Sequence, residues 1–97
     1  MARLNRNDVV SQDGELFVVL ESELPPPAPT LVVILLIDDS YPVVPILNPT
    51  IRFDGRAHLP ATRLVIPVRR SVLRHVGDVE DQGDAITRAV DVMMAGV

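Results

Sequence analysis

The chain has no cysteine, no lysine, no tryptophan and only three aromatic residues, Phe17, Tyr41 and Phe53. Without cysteine, disulfide staples and thiolate zinc sites are excluded. With so few aromatics, a stacking platform for single-stranded nucleic acid is poorly supplied. The five glycines do not form a phosphate-cradling loop. The longest apolar run, residues 31–37, falls well short of the ~20 residues that cross a bilayer as a helix. Residues 1–8 contain no apolar stretch of a signal peptide, so the expectation is a cytoplasmic protein without a membrane partner.

What is present is a chain of 97 residues, 47% of them hydrophobic. That length predicts one domain over residues 1–97, burying roughly 65% of its unfolded surface. Charge is segregated. Residues 1–48 hold two arginines and seven acids, residues 49–77 hold six arginines against Asp54, and residues 78–97 hold Arg88 against five acids. A basic middle suits phosphate or an acidic partner equally.

Asp13-Gly14 lies between the strand candidates 8–11 and 15–22, the pattern of a two-residue hairpin. Residues 25–29 hold four prolines, cannot donate to a sheet ladder, and read as extended polyproline-like chain. Their PxxP frame fits an SH3 ligand, but a stiff connection inside the domain is the favoured reading. Residues 31–37 are apolar without alternation, as in a strand buried on both faces at the centre of a sheet. Residues 41–49 read as a loop anchored by Val43, Val44, Ile46 and Leu47. Thr50 to Leu59, turning at Asp54-Gly55, predicts a second hairpin, and Arg63 to Ile66 a short strand stopped by Pro67. Residues 67–74 read as irregular chain or a helical turn, and residues 78–83 as an acidic loop.

One helix is predicted, over residues 84–97, capped by Asp84. Ile86, Ala89, Val90 and Met93 share one face, and Thr87, Arg88 and Asp91 lie on the other. At its end, Gly96 suits a left-handed stop with Val97 packing back on Val92, or Met94 to Val97 form an apolar docking tip. Short strands with one late helix predict a small bent sheet or barrel closed by that helix.

No catalytic or metal set stands out. Ser71 and His75 lie four apart without the strained turn of a nucleophile, His58 is isolated, and Asp78, Asp81 and Asp84 do not match a calcium loop. The residues therefore favour a binding module over an enzyme, with no cofactor.

From Glu15 to Val97 the chain resembles the CcdB toxins of bacterial toxin–antitoxin pairs. The resemblance is carried by Leu16-Phe17-Val18 with Glu21 to Leu24, by Leu31 to Leu36, by Leu47-Asn48-Pro49 and Ile66-Pro67, and by the ending from Asp84 through Met93 to Gly96-Val97. It implies a mostly β (α+β) fold, an SH3-like bent sheet or barrel of the CcdB/MazF type closed by one C-terminal α-helix. It further implies a homodimer that binds the DNA gyrase A subunit through its C-terminal tips, traps the cleaved-DNA complex, and is removed by a CcdA-like antitoxin. No direct sequence-specific contact to nucleic acid is expected. Carried over by position, the gyrase contact would be Leu24, Pro25, Asp91, Met94, Ala95, Gly96 and Val97, with Met93 toward the dimer axis. Well-known members carry Trp third from the end after Phe, where this chain has Ala95 after Met94. That change motivates a non-toxic CcdB-like relative, active only in antitoxin binding and operon autoregulation. The arginines from Arg52 to Arg74 motivate a MazF-type RNA-cleaving toxin, although the strand at Leu31 lacks the Arg-Pro entry usual there.

Overall fold

In a computed structural model the described residues are 3–23, 29–38 and 48–95. They form six strands, β1 (Asp8–Gln12), β2 (Glu15–Val19), β3 (Thr30–Asp38), β4 (Ile51–Phe53), β5 (Arg56–Arg69) and β6 (Arg74–Asp78), and one helix, α1 (Gly83–Met94). All neighbouring strands run antiparallel, in the order β4-β5-β3-β2-β1-β6. The result is a mostly β, nearly closed barrel-like sheet with a C-terminal helix, compatible with an SH3-like fold.

Both Asp-Gly pairs turn as their chemistry dictates. Asp13, Gly14, Asp54 and Gly55 all have positive φ, as a two-residue turn matched to the twist of its strands requires. β3 takes the central place, between β2 and β5, and its Val33 and Ile34 are both fully buried although they face opposite sides. One side holds Leu4, Val10, Phe17, Val19, Leu31, Val33 and Leu73. The other holds Val9, Val18, Ile34, Leu36, Ile51 and Val79 beneath Ile86 of the helix.

The two edge strands meet at Gly77. A methyl group there would stand 2.7 Å from Cε1 of Phe53, so β6 approaches the β4 side chain only because this residue has none. β6 itself is missing from the sequence reading. Its residues are mostly exposed and do not alternate, because among the described residues it pairs only with β1, in a ladder whose register shifts between Val9 and Val10.

The separate strand at Arg63 to Ile66 is corrected: β5 runs unbroken from Arg56 through Pro60 and Pro67 to Arg69. Ile34 faces Val65 and Leu36 faces Pro60, which leaves residues 61–64 against Leu35 alone. That bulge bends β5 and turns Leu59 to Thr62 inward. Pairing with β4 ends at His58, so beyond it β5 is paired only with β3 among the described residues, and prolines are tolerated there.

The acidic loop is also corrected. Val79 is a core residue, Glu80–Gln82 form a 3-10 turn, and the helix follows directly. Asp84 is therefore not the cap but an acid in the first turn, where the helix dipole favours it. A second 3-10 turn, Arg70–Val72, occupies part of the stretch read as irregular or helical. The loop anchors Val43, Val44, Ile46 and Leu47 and the prolines 25–27 lie outside the described residues. Among the described residues no helix is long and apolar enough to cross a membrane.

Candidate functional site

The candidate site is the end of α1, and its position is set by how firmly the start of the helix is held. Ile86 and Ala89 are buried, and Val90 packs on the same cluster. Ahead of the helix, the Val79 N–H donates to Asn7 O (2.9 Å), and the Asn7 N–H donates to Val19 O (2.8 Å). The Arg6 Nη2 donates to Thr87 Oγ1 (2.7 Å), so the polar face of the helix is fastened as well.

Gln82 supplies the most direct link. Its Oε1 accepts from the Arg52 N–H and its Nε2 donates to the Arg52 carbonyl, both at 2.7 Å. The side-chain amide thus pairs with edge strand β4 as another strand would, and joins that edge to the residue before the helix. Nothing in the local sequence marks this role; it follows only from the fold. Replacing Gln82 with Leu removes both bonds and is expected to cost about 1–2 kcal/mol. Urea unfolding would measure this, and an unchanged midpoint would show that the pair contributes nothing.

Toward its end the helix emerges. Met93 is half-buried, Asp91 and Ala95 are exposed, and Met94 is 79% exposed. Ala95 keeps helical dihedrals, and its N–H donates to Asp91 O (3.0 Å). Asp91, Met93, Met94 and Ala95 therefore lie in the last turn of a helix whose start is firmly held, with Met94 its most exposed large apolar side chain. Leu24, Pro25, Gly96 and Val97 lie outside the described residues, and so do both readings of the Gly96-Val97 ending.

No family model matches this chain, and no curated protein matches it.

The other sequence candidates lie elsewhere. Ser71 is exposed in the 3-10 turn, whereas the Nε2 of His75 stands 3.7 Å from Asp8 Oδ1. Asp78 Oδ1 accepts from the Glu80 N–H (3.1 Å), the local bond that starts the turn before the helix. Among the described residues no group of three or more His, Asp or Glu is placed to hold a metal. Arg52, Arg56, Arg63, Arg69 and Arg74 are exposed. An open groove of about 890 Å³ runs between the hairpins, with Leu16, Ile37, Phe53 and Val76 among its walls and His58 at one side. None of the helix-tip residues lines it.

Sequence reasoning missed one buried charged pair. Glu23, only 6% exposed, bonds to Arg70 Nε, and its other oxygen accepts from the Leu4 N–H (2.9 Å). Burial pushes this carboxyl up, but the Leu4 amide and the Arg70 guanidinium outweigh it and hold the group below the ordinary glutamate range. The only sequence signal was Glu23 beside an apolar residue, too common a pattern to read.

Proposed function

We propose that this chain is a CcdB-like toxin that inhibits DNA gyrase by binding its A subunit through the C-terminal end of α1 and trapping the cleaved-DNA complex. The observation that carries this reading is Met94, a large apolar side chain left 79% exposed at the end of a helix whose start is buried and hydrogen-bonded. A helix held that way loses little freedom when its tip docks, so the contact energy is not spent on ordering. The barrel-like sheet with a late helix supports the same reading.

The toxin acts as a homodimer, which offers two tips to a two-fold target. Leu64 and Ile66, exposed at 46% and 38% on one face of β5, supply apolar surface for self-association in addition to Met93. A CcdA-like antitoxin would neutralise the dimer. Because Ala95 lacks an aromatic ring, Met94 becomes the principal anchor in the described part of the tip.

The test is a plasmid assay with supercoiled DNA, gyrase, ATP and the purified protein, intact or lacking residues 95–97, beside Met94→Asp. Linear DNA after denaturing the enzyme is expected with the intact chain. Truncation or Met94→Asp is expected to raise the concentration required by more than about thirtyfold, as loss of a hot-spot anchor does. Linear DNA undiminished by either change would refute the tip mechanism. The exposed arginines between Arg52 and Arg74 favour RNA cleavage as the second reading. Cutting of RNA by the protein alone would decide for it.

A further inference from the structure

The groove of about 890 Å³ between the two hairpins lies apart from the helix tip, and its lining is chemically sorted. Leu16, Phe53 and Val76 form apolar walls, and Val76 is 38% exposed. Each hairpin brings one exposed carboxylate to the lining. Glu15 directly follows the turn at Asp13-Gly14, and Asp54 belongs to the turn at Asp54-Gly55. Among the described residues neither of these two carboxylates has an ion-pair partner. Asp38, at the end of β3, adds a third acid, and Arg56 contributes a guanidinium. Strand register gathers these groups, since Asp38 faces His58 across β3 and β5, and Phe53 faces Arg56 across β4 and β5. Gly77 is needed too, because a side chain there would displace the Phe53 ring.

We propose that this groove docks a basic, extended segment of a partner protein, with an arginine or lysine side chain at the Glu15 and Asp54 carboxylates and an apolar neighbour against Phe53 and Val76. Three carboxylates against one guanidinium disfavour an acidic segment or a phosphate backbone. The aromatic wall adds attraction for a cation held on its face. A free small cation fits less well, because a site for one encloses most of its surface and this groove stands open. A second copy of the chain offers exposed Arg63 and Leu64 on β5, but that contact is head-to-tail and would propagate rather than close. The inference does not depend on the proposed gyrase contact, since none of the described helix-tip residues lines the groove.

The experiment titrates the full-length protein with a short peptide alternating arginine and leucine, with its glutamate–leucine counterpart, and with free arginine, following amide shifts by NMR. Saturable shifts at Leu16, Ala57 and Val76 are expected with the basic peptide alone, while Met94 at the helix tip stays unmoved. Glu15→Gln combined with Asp54→Asn, which keeps a residue suited to the turn, should weaken binding about fivefold or more, as the loss of two exposed ion pairs does. Val76→Arg places a like charge in the groove and should weaken it by about tenfold or more. No saturable shift at these residues up to about 10 mM peptide would overturn the proposal. Equal binding of the acidic peptide or of free arginine would overturn it as well, and so would affinity unchanged in both variants. Self-association of the protein that Val76→Arg abolishes would assign the groove to a second copy instead.

Discussion

Ile34→Ala is expected to remove about 3–4 kcal/mol of stability, within the range for a buried isoleucine cut to alanine. Ile34 is fully buried in β3, opposite Val18 on one neighbour and Val65 on the other, and packs with Val9, Leu36, Ile51 and Ile86. Strands on both sides and the helix above meet at this position, so collapse into the space is restricted and the cavity term stays large. For a domain of this size the whole stability is on the order of 5–15 kcal/mol, so the change consumes a large fraction of it. Urea unfolding should show a midpoint lowered by roughly 2 M. As a comparison, Leu64→Ala on the exposed face of β5 should move the stability of the monomer by less than about 0.5 kcal/mol. A loss under about 1 kcal/mol at Ile34 would mean that the helix does not press on this strand.

The second large effect concerns Glu23 and Arg70. Arg70→Ala is expected to destabilise the protein by about 3–5 kcal/mol at neutral pH, because it leaves a buried carboxylate without its counter-charge. The pair itself gives no such figure, since most of that loss is the cost of the stranded anion. Its pH dependence has a definite sign. Glu23 in the folded chain titrates below its ordinary value of 4.5, so its contribution is fully present above that value and is lost as pH falls through the folded one. In Arg70→Ala, burial is no longer outweighed by the arginine, and protonation relieves the stranded charge. The gap between the two proteins should therefore narrow as the solution is acidified. Unfolding curves from pH 7 down to pH 3 would measure it, and a gap independent of pH would show that the loss came from packing alone.

Local chemistry made several elements readable before any fold was known. Asp-Gly at 13–14 and 54–55 dictates a tight turn wherever it separates two apolar stretches, and both turns formed. Seven apolar residues without alternation can be covered only from both sides, which placed residues 31–37 at the centre of the sheet. The spacing of Ile86 and Ala89 determined the buried face of the helix. What these signals share is that their physical cause lies within a few residues along the chain.

The other elements depend on partners that lie far apart along the chain. Pro60 and Pro67 argue locally for ends of strands, yet β5 passes through both, since its bulge and its one-sided pairing remove the demand for their missing amides. β6 has no amphipathic pattern and becomes a strand only because β1 offers it an edge, with Gly77 admitting Phe53 from the opposite edge. Gln82 reads as one polar residue in an acidic run until the backbone of Arg52, thirty residues away, supplies both its partners. Glu23 and Arg70, separated by 47 positions, give no local sign of their pairing. Local composition dictated which stretches must be covered and where the chain must turn. The fold determined which polar groups meet, because a hydrogen bond or ion pair requires two groups within about 3 Å, and only packing of the whole chain sets that distance.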